Sequence, residues 1–332
     1  MTTKDETVSI IIINRNGERF LSGCIESVKN QSYNKIEIIL IDNVSTDKSL
    51  SFVKENHEDV TIIANSNNEG YSKAANTGIL KSKGEYILIL NPDVILDLKF
   101  IENCLTAIKR DEKIGSVSGK LLRFRTDDSH DFIDSTGLIL CQDIRRPLDR
   151  GQNQRDNGQY DKEEYIFGVN GAAPFYRRAM LEDVKIGNEY FDEDFFAYYE
   201  DVDIAWRAQL LGWKCYYTPF AVAYHYRSYL KAEKGNSGGI HAVKNRYLLY
   251  LKNEFTVSFL KHILRILFIE AIRFLRYFFR EKDALIGVKA VCTYILPTLK
   301  KRAFIMKKIR VNRKYMESWY VSCSHEIISL NQ

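Results

Sequence analysis

VSIIIINRNGERFLSGCIESVKNQSYNKIEIILIDNVSTDKS, residues 8–49, sets two apolar, β-branched runs around one amphipathic segment. VSIIII (8–13) and IEIILI (36–41) show no polar alternation, the pattern of strands buried on both faces. Between them Phe20, Leu21, Cys24, Ile25 and Val28 recur at helical spacing, which predicts a helix over 18–31. Asp42-Asn43 ends the second run. Ser45-Thr46-Asp47 then supplies N-cap chemistry for a helix reaching His57.

The same alternation continues downstream. VTIIA (60–64) reads as a third strand, Gly70 breaks the chain, and 71–83 reads as a helix. YILIL (86–90) is a fourth strand running into Asn91-Pro92-Asp93, followed by a helix over 97–110 and a strand near 114–122. Strands separated by single helices predict an α/β protein with a mostly parallel sheet and right-handed crossovers. Ligands of such sheets bind beyond the carboxyl ends of the strands. That rule singles out Asn14 to Asn16, Asp42 and Asn43, Asn65 to Asn68, and Asn91 to Asp93. Each alone reads better as a turn former. Four polar strand ends converging on one edge favour a site.

The rest of the chain is less regular. Residues 123–165, with Asp127-Asp128, Arg145-Arg146 and QNQRDNGQ, read as long loops with one hairpin near the mouth of that site. A helix starts near Glu200 and is ended by Gly212. Residues 255–280 are rich in Phe, Leu and Ile. Wound as a helix, they bring Lys261, Arg265, Arg273, Arg276 and Arg280 within an arc of about 120°. This suits an interfacial membrane helix, the alternative being a helix packed on the protein's own core with a solvated basic face; the Lys and Arg excess continuing through KKRAFIMKKIRVNRK (300–314) favours the first.

Composition bounds the function. The 332 residues are 45% apolar and 27% charged, which fits a folded chain of one large domain plus an appendage, or two domains. The expected division is 1–240 and 241–332. The first part holds 30 Lys and Arg against 37 Asp and Glu, a net of −7; the second holds 18 against 6, a net of +12. The six cysteines are scattered, without CxxC pairs, so neither a disulfide framework nor a structural zinc site is expected. No secretory signal and no uncharged apolar run of transmembrane length stands out.

The phosphate-binding patterns GxGxxG and GxxxxGK[ST] are absent after every strand, and so is GxSxG. What remains is Asp93 in NPD, Glu200 and Asp201 in YYEDVD, and His225 in AYHYRS. A divalent cation on a diphosphate wants hard oxygen ligands and sometimes an imidazole, and a hydroxyl nucleophile wants a carboxylate base. Each residue keeps a plainer alternative: a turn residue, helix N-terminal charges, a core histidine.

The stretch 8–49 resembles the opening of family 2 inverting glycosyltransferases of the GT-A fold. NNEGYSKAANTGI (67–79) is similar to their N-x-G-(F/Y)…N-x-G segment. NPDV stands where their metal-binding D-x-D sits, and VNGAAPFYRRAMLEDV with FDEDFFAYYEDVDIAWRAQLLGWK resembles their acceptor segment and acidic motif. Within the family the rhamnosyltransferase-like enzymes of bacterial surface polysaccharides are the most similar subgroup. The resemblance implies a GT-A-type, Rossmann-like sheet flanked by helices, with a basic helical C-terminal extension. It implies that Asn14, Arg15 and Asn16 line the base pocket with Asp42 and Asn43, and that Asn68, Asn76 and Asn91 lie near ribose and diphosphate. Asp93 and His225 would ligate a divalent cation, Mg²⁺ or Mn²⁺. Asp201 would be the general base, Glu200 would position the acceptor, and Gly171, Ala172 and Trp206 would border it. Asn91 departs from the pattern, replacing the first Asp of D-x-D and removing one negative charge. The Q-x-x-R-W of processive relatives is missing.

The expected activity is therefore transfer of a sugar from a nucleoside-diphosphate donor, of the dTDP-rhamnose type, to a glycan or polyprenyl-linked glycan. The expected location is cytoplasmic, peripheral on the membrane's cytoplasmic face through the basic tail, with homodimerisation left open and no nucleic-acid partner. A sugar-nucleotide pyrophosphorylase and a non-catalytic glycan- or membrane-binding member are the alternatives. The first lacks its Gly-rich loop here; the second is disfavoured by the intact acidic pair.

Overall fold

The computed structural model describes residues 6–124, 131–142, 145–227, 237–280 and 282–323, without the side chains of 237–238 and 276–284. β1 (Val8–Asn14), β2 (Ile36–Asp42), β3 (Thr61–Ala64) and β4 (Tyr86–Leu90) alternate with α1 (Glu18–Lys29), α2 (Ser49–Asn56) and α3 (Gly70–Lys81). β5 (Val94–Leu96), α4 (Phe100–Ile108) and β6 (Ile114–Arg123) follow. β1 and β4 are buried along their whole length, which is why their sequences are mostly Ile, Leu and Val. Cys24, Ile25 and Val28 turn the apolar stripe of α1 onto the sheet.

The segment after β6 holds more strand than expected. β7 (Ile133–Ser135) pairs with β6, while β8 (Leu138–Cys141) and β9 (Arg146–Asp149) form a hairpin of a second, three-stranded sheet. β10 (Glu164–Ile166), β11 (Phe175–Arg177) and β12 (Lys214–His225) return to the main sheet. The main order is β10-β12-β6-β11-β4-β1-β2-β3. Its long ladders are parallel: β3, β2, β1 and β4 run together, and so do β6 and β12. The antiparallel ladders, β11 among them, are two or three residue pairs long. The sheet is thus mixed and mostly parallel, with helices on both faces, as expected of a GT-A fold.

α5 (Arg178–Val184) and a 3₁₀ turn (Glu193–Phe195) lead to α6 (Glu200–Leu210), which ends at Gly212 with φ +80°. Beyond it come α7 (Ser237–Asn253), α8 (Thr256–Lys261), α9 (Ile263–Arg280), α10 (Lys282–Lys308) and α11 (Arg313–Glu317), with β13 (Tyr320–Val321) closing the small sheet beside β8. The continuous helix expected over 255–280 is broken at His262.

Residue 240 marks no break in packing. Leu248 and Leu249 of α7, Ile305 of α10 and Met316 of α11 belong to the same core as Leu138, Val202 and Tyr217. Part of the basic excess of the tail is answered by the acidic body. Lys252 is fully buried between Asp192 and Asp203, and Lys301 reaches Glu189, Asp192 and Asp194. Arg310 grips both carboxylate oxygens of Asp183 at 2.6 and 2.8 Å. At these three residues the opposite charges of the two parts of the sequence meet in one interface. Of the expected basic arc, the side chains of Arg276 and Arg280 lie outside the described residues.

Candidate active site

β1 to β4 end at one edge, and the register makes the polar strand ends neighbours. Asn14 pairs with Asp42, and the ladder continues through Asn43 N–H to Asn14 carbonyl (2.8 Å) and Asn65 N–H to Asp42 carbonyl (2.9 Å). Asn14 Nδ2 donates to Asp42 Oδ1 (2.9 Å) and to the hydroxyls of Ser45 (3.0 Å) and Ser49 (2.9 Å). Asp42 Oδ2 accepts from Ser45 N–H, and Asn16 Oδ1 accepts from Thr46 N–H. The residue before α2, Lys48, makes no side-chain cap; Asp47 accepts from the Ser49 amide at the start of α2 and from the Glu18 amide, tying the starts of α1 and α2 together. The turns after β1 and β2 are thereby one rigid unit. A Cβ on Gly17 would strike Asn14 Oδ1 at 2.3 Å and approach Pro92 at 3.3 Å, so this unit also packs on the Asn91-Pro92-Asp93 turn.

Asp93 and His225 come together across the β5–β12 ladder, which pairs His225 with Val94. His225 Nε2 faces Asp93 Oδ1 at 3.3 Å, and His225 Nδ1 lies 2.8 Å from Asp134 Oδ2. Burial alone would lower the His225 pKa; the carboxylates of Asp134 and Asp93 carry it up to about 9. Asp134, fully buried on β7, also binds Arg227 Nε, and Arg227 Nη2 reaches Asp149 at 2.8 Å. Asp149 accepts from Asn170 Nδ2 at 2.5 Å. A chain of polar contacts thus runs Asp93–His225–Asp134–Arg227–Asp149–Asn170.

That chain ends beside Asp201. Gly171 N–H donates to Asp201 Oδ2 at 2.9 Å, and Val202 N–H to Oδ1 at 2.8 Å. A Cβ at Gly171 would stand 3.3 Å from that carboxylate. The enclosure of Asp201, and then the negative charge of Asp149, push its pKa up to about 6. Glu200, more deeply buried, is pushed up to about 8 by burial and then by Asp201, and its Oε2 has no hydrogen-bond partner among the described residues. Two like charges side by side titrate as a pair. Asp201 opens onto a pocket lined also by Asp149, Asn170, Tyr198 and Tyr199. Ala172 carbonyl accepts from Asn91 N–H at 3.0 Å, so one short segment spans the Asp93 end and the Asp201 end.

The loop before α6 is strained. Phe196, Tyr198 and Tyr199 have φ of 64°, 73° and 67°, a region that disfavours bulky residues. Asn245 of α7 holds it: its Nδ2 lies 2.7–2.8 Å from the carbonyls of Phe195, Ala197 and Tyr198. Gly70, at φ +74°, makes room for it; a Cβ there would meet Phe196 carbonyl oxygen at 2.5 Å.

Two expected site residues lie elsewhere. Trp206 is five residues past Asp201, about 140° around the helix. It is buried among Phe167, Tyr250 and Tyr320 and is a core residue, not an acceptor wall. Asn76 accepts from Tyr190 and Phe191 amides and donates to Phe191 carbonyl and Glu193. Its hydrogen-bonding capacity is spent on pinning that segment, so none is left for a diphosphate. Asn68 is exposed and caps Gly70 N–H at 3.1 Å.

Residues 9–183 match the family model described as Glycosyl transferase family 2. The chain belongs to this family. Glycosyltransferase GlyG of Streptococcus pneumoniae serotype 4 is 30% identical over 140 residues, 41% of this chain and 46% of GlyG. Poly-beta-1,6-N-acetyl-D-glucosamine synthase of Staphylococcus aureus is 24% identical over 226 residues, 66% of this chain and 50% of the synthase. The chain therefore spans about half the length of these curated relatives. Among solved structures, mannosyltransferase PcManGT of Pyrobaculum calidifontis, in complex with GDP-Man and Mn²⁺, superposes with a TM-score of 0.53. It is 17% identical, with 98% of this chain and 86% of that one covered, and shows the shared fold.

Asp134, Asp149 and Arg227 have weak sequence signals. Asp134 is one acid in a three-residue strand, without periodicity. Arg227 carries one hint, since positions 225 and 227 share a face if the strand continues.

Proposed function

We propose that this family 2 chain transfers a sugar from a nucleoside-diphosphate donor to a hydroxyl of a glycan or lipid-linked glycan, with inversion. The carrying observation is that Asp201, with its raised pKa, is fixed at a pocket by the Gly171 amide, and the next residue, Ala172, is hydrogen-bonded to Asn91 of the turn that carries Asp93. In this reading Asn14, Arg15, Asn16, Asp42 and Asn43 build the base-side wall, Asn68 and Asn91 border it, and Asp93 faces the diphosphate. Asp201 takes the proton of the acceptor hydroxyl as it attacks the anomeric carbon; one base suffices, since no covalent intermediate forms. Glu200, held protonated near neutral pH, offers Oε2 as a donor to the acceptor sugar, and Gly171 with Ala172 shapes the approach.

A divalent cation fits the residues present. A hard carboxylate and an imidazole nitrogen face one another, and the other ring nitrogen is anchored by Asp134, as metal-ligating histidines commonly are. Among the described residues no cluster of three or more protein ligands exists, so the donor diphosphate would complete the coordination. Mg²⁺ or Mn²⁺ bound by Asp93 and His225 would supply positive charge against the diphosphate leaving group.

The similarity to a polysaccharide synthase supports a role in polysaccharide synthesis. A rhamnose-type donor and a homodimer belong to the same reading. So does peripheral attachment of the C-terminal helices to the cytoplasmic face of the membrane. No helix among the described residues is long and apolar enough to cross a membrane. A panel of UDP-, GDP- and dTDP-sugars, assayed for nucleoside diphosphate release with Mg²⁺ or Mn²⁺, tests the assignment. Release that depends on acceptor and is lost in Asp201→Asn is expected. Release unaffected by Asp201→Asn removes the assigned base.

A further inference from the structure

The short turn Asn170-Gly171-Ala172, between β10 and β11, is where separate parts of the protein meet. Its Gly171 amide donates to Asp201 of α6 at 2.9 Å, and its Gly171 carbonyl accepts from the Tyr71 hydroxyl of α3 at 2.9 Å. Its Ala172 carbonyl accepts from Asn91 N–H, just past β4, at 3.0 Å. The remaining tie is a side chain. Asn170 Nδ2 donates to Asp149 Oδ1, at the end of β9, at 2.5 Å, while Asn170 Oδ1 turns back to accept from the Ala172 amide at 2.8 Å. An asparagine that bonds its own backbone two residues on closes a turn. Here the other end of the same amide is clamped.

Asp149 is itself held. Its Oδ2 accepts from Arg227 Nη2 at 2.8 Å and from Gln152 Nε2 at 3.1 Å, which leaves Oδ1 to Asn170. Asp149, Asn170 and Asp201 line one pocket. The charge of Asp149 and the turn that it clamps act on Asp201 with opposite signs. A like charge favours the protonated carboxyl, and the Gly171 amide, a donor to the ionised form, favours the carboxylate. The Val202 amide also bonds Asp201, but it belongs to α6 and moves with it. The other titratable groups around Asp201 are Glu200 on α6 and the buried phenols of Tyr71 on α3 and Tyr176 on β11. Arg146, Tyr198 and Tyr199 line the same pocket.

We infer that Asn170 is a positioning residue for Asp201: clamped by Asp149, its side chain sets the turn that aims the Gly171 amide at the carboxylate. The inference deepens the proposed reaction and rests on Asp201 as its base. The approach is close, since a Cβ at Gly171 would stand 3.3 Å from that carboxylate. A hydrogen bond weakens steeply as it bends, so a modest rotation of the peptide before Gly171 takes the amide off the oxygen. Without the clamp Asn170 has other rotamers open to it, and the turn loses its anchor on β9. A misplacement of about 1 Å at a reacting group costs on the order of 10²-fold in rate. The small sheet thus reaches the base through one side chain.

The test reads Asp201 directly in the full chain, without substrate. Carboxyl-¹³C aspartate is incorporated into a Glu200→Gln parent, so that one carboxylate of the acidic pair titrates. The Asp201 resonance is the one lost in Asp201→Asn. Asn170→Ala should release the Gly171 amide and move the Asp201 midpoint up by roughly half a pH unit or more. Asp149→Asn keeps an oxygen for Asn170 Nδ2 but removes the charge, and should move the midpoint down. Packing alone does not give opposite shifts from the two ends of one hydrogen bond. Only folded protein is read, so a less stable variant loses signal without moving its midpoint. In nucleoside diphosphate release from the panel donor that the wild type turns over, Asn170→Ala should lower kcat roughly tenfold to hundredfold with the donor KM unchanged. The inference is overturned if Asn170→Ala leaves the midpoint of the parent, or if both substitutions move it the same way. Shifted midpoints with full release in Asp201→Asn keep the positioning and remove the base. Release lost in Asp201→Asn with unmoved midpoints does the reverse.

Discussion

Asp134 Oδ2 lies 2.8 Å from His225 Nδ1, and this contact leaves Nε2 as the imidazole nitrogen that faces Asp93. When a cation takes the place of the Nε2 proton, Nδ1 keeps its proton on Asp134, so the buried carboxylate fixes the tautomer a cation would need. Asp134→Asn should therefore weaken cation-supported nucleotide binding by roughly 10–100-fold. Titration of the nucleoside diphosphate with and without Mn²⁺ checks this. Equal losses in both titrations would mean that Asp134 acts only through packing.

The acidic pair makes a signed pH prediction. Asp201 must be ionised to take a proton, and Glu200 must be protonated to donate. With pKa values raised to about 6 and about 8, kcat/KM should rise through the first and fall through the second. Asp201→Asn should lower kcat by roughly 10²–10⁴-fold while donor affinity holds. In Glu200→Gln the alkaline limb should vanish. An alkaline limb that survives in Glu200→Gln belongs to another group.

Much of this site was legible in the sequence, and the reason is local. Asn14, Asp42, Asn91 and Asp93 stand at or just past the ends of runs rich in Ile, Leu and Val, so the end of each apolar run marks the turn and the parallel sheet aligns the turns. Asp201 opens a helix with three acids in its first turn. What stayed hidden depends on distant pairing. Asp134 sits in FIDST, and only the β6–β7 ladder brings it under His225. β7 to β10 are three or four residues long, too short for a period to emerge from polar surroundings. Trp206 was placed by its motif neighbours, whereas helix rotation put it in the core. The tail's charge was visible, but that Lys252 and Lys301 spend it on Asp192 is a matter of three-dimensional packing.

Glu200 also carries a stability cost. Its folded pKa, near 8, stands above the ordinary value of 4.5, so the unfolded chain ionises more readily. No penalty exists below about pH 4, and stability falls as pH rises from there through 8. Glu200→Gln removes the charge and should raise the melting temperature relative to wild type at pH 8, and by less at pH 5. A variant that melts equally above wild type at both values would owe its gain to something other than ionisation.

The last prediction concerns the amide that holds the strained loop. Asn245 Nδ2 reaches three carbonyls of the run that carries Phe196, Tyr198 and Tyr199 at positive φ. Each such backbone conformation costs on the order of 1 kcal/mol or more and persists only while its surroundings enforce it. Asn245→Ala leaves buried carbonyls unsatisfied and should cost about 2 kcal/mol of stability. Released strain should let the loop relax, and Asp201 with it, since Asp203 N–H bonds to Tyr199 carbonyl at the first turn of α6. The expected outcome is a lower kcat with donor affinity preserved, and faster amide exchange in 195–203 than elsewhere. Asn245→Asp keeps the shape but replaces the donor with an acceptor facing three oxygens, and should be worse than alanine. If Asn245→Ala destabilises the whole chain evenly, with kcat unchanged in the folded fraction, α7 supports the core and not the catalytic loop.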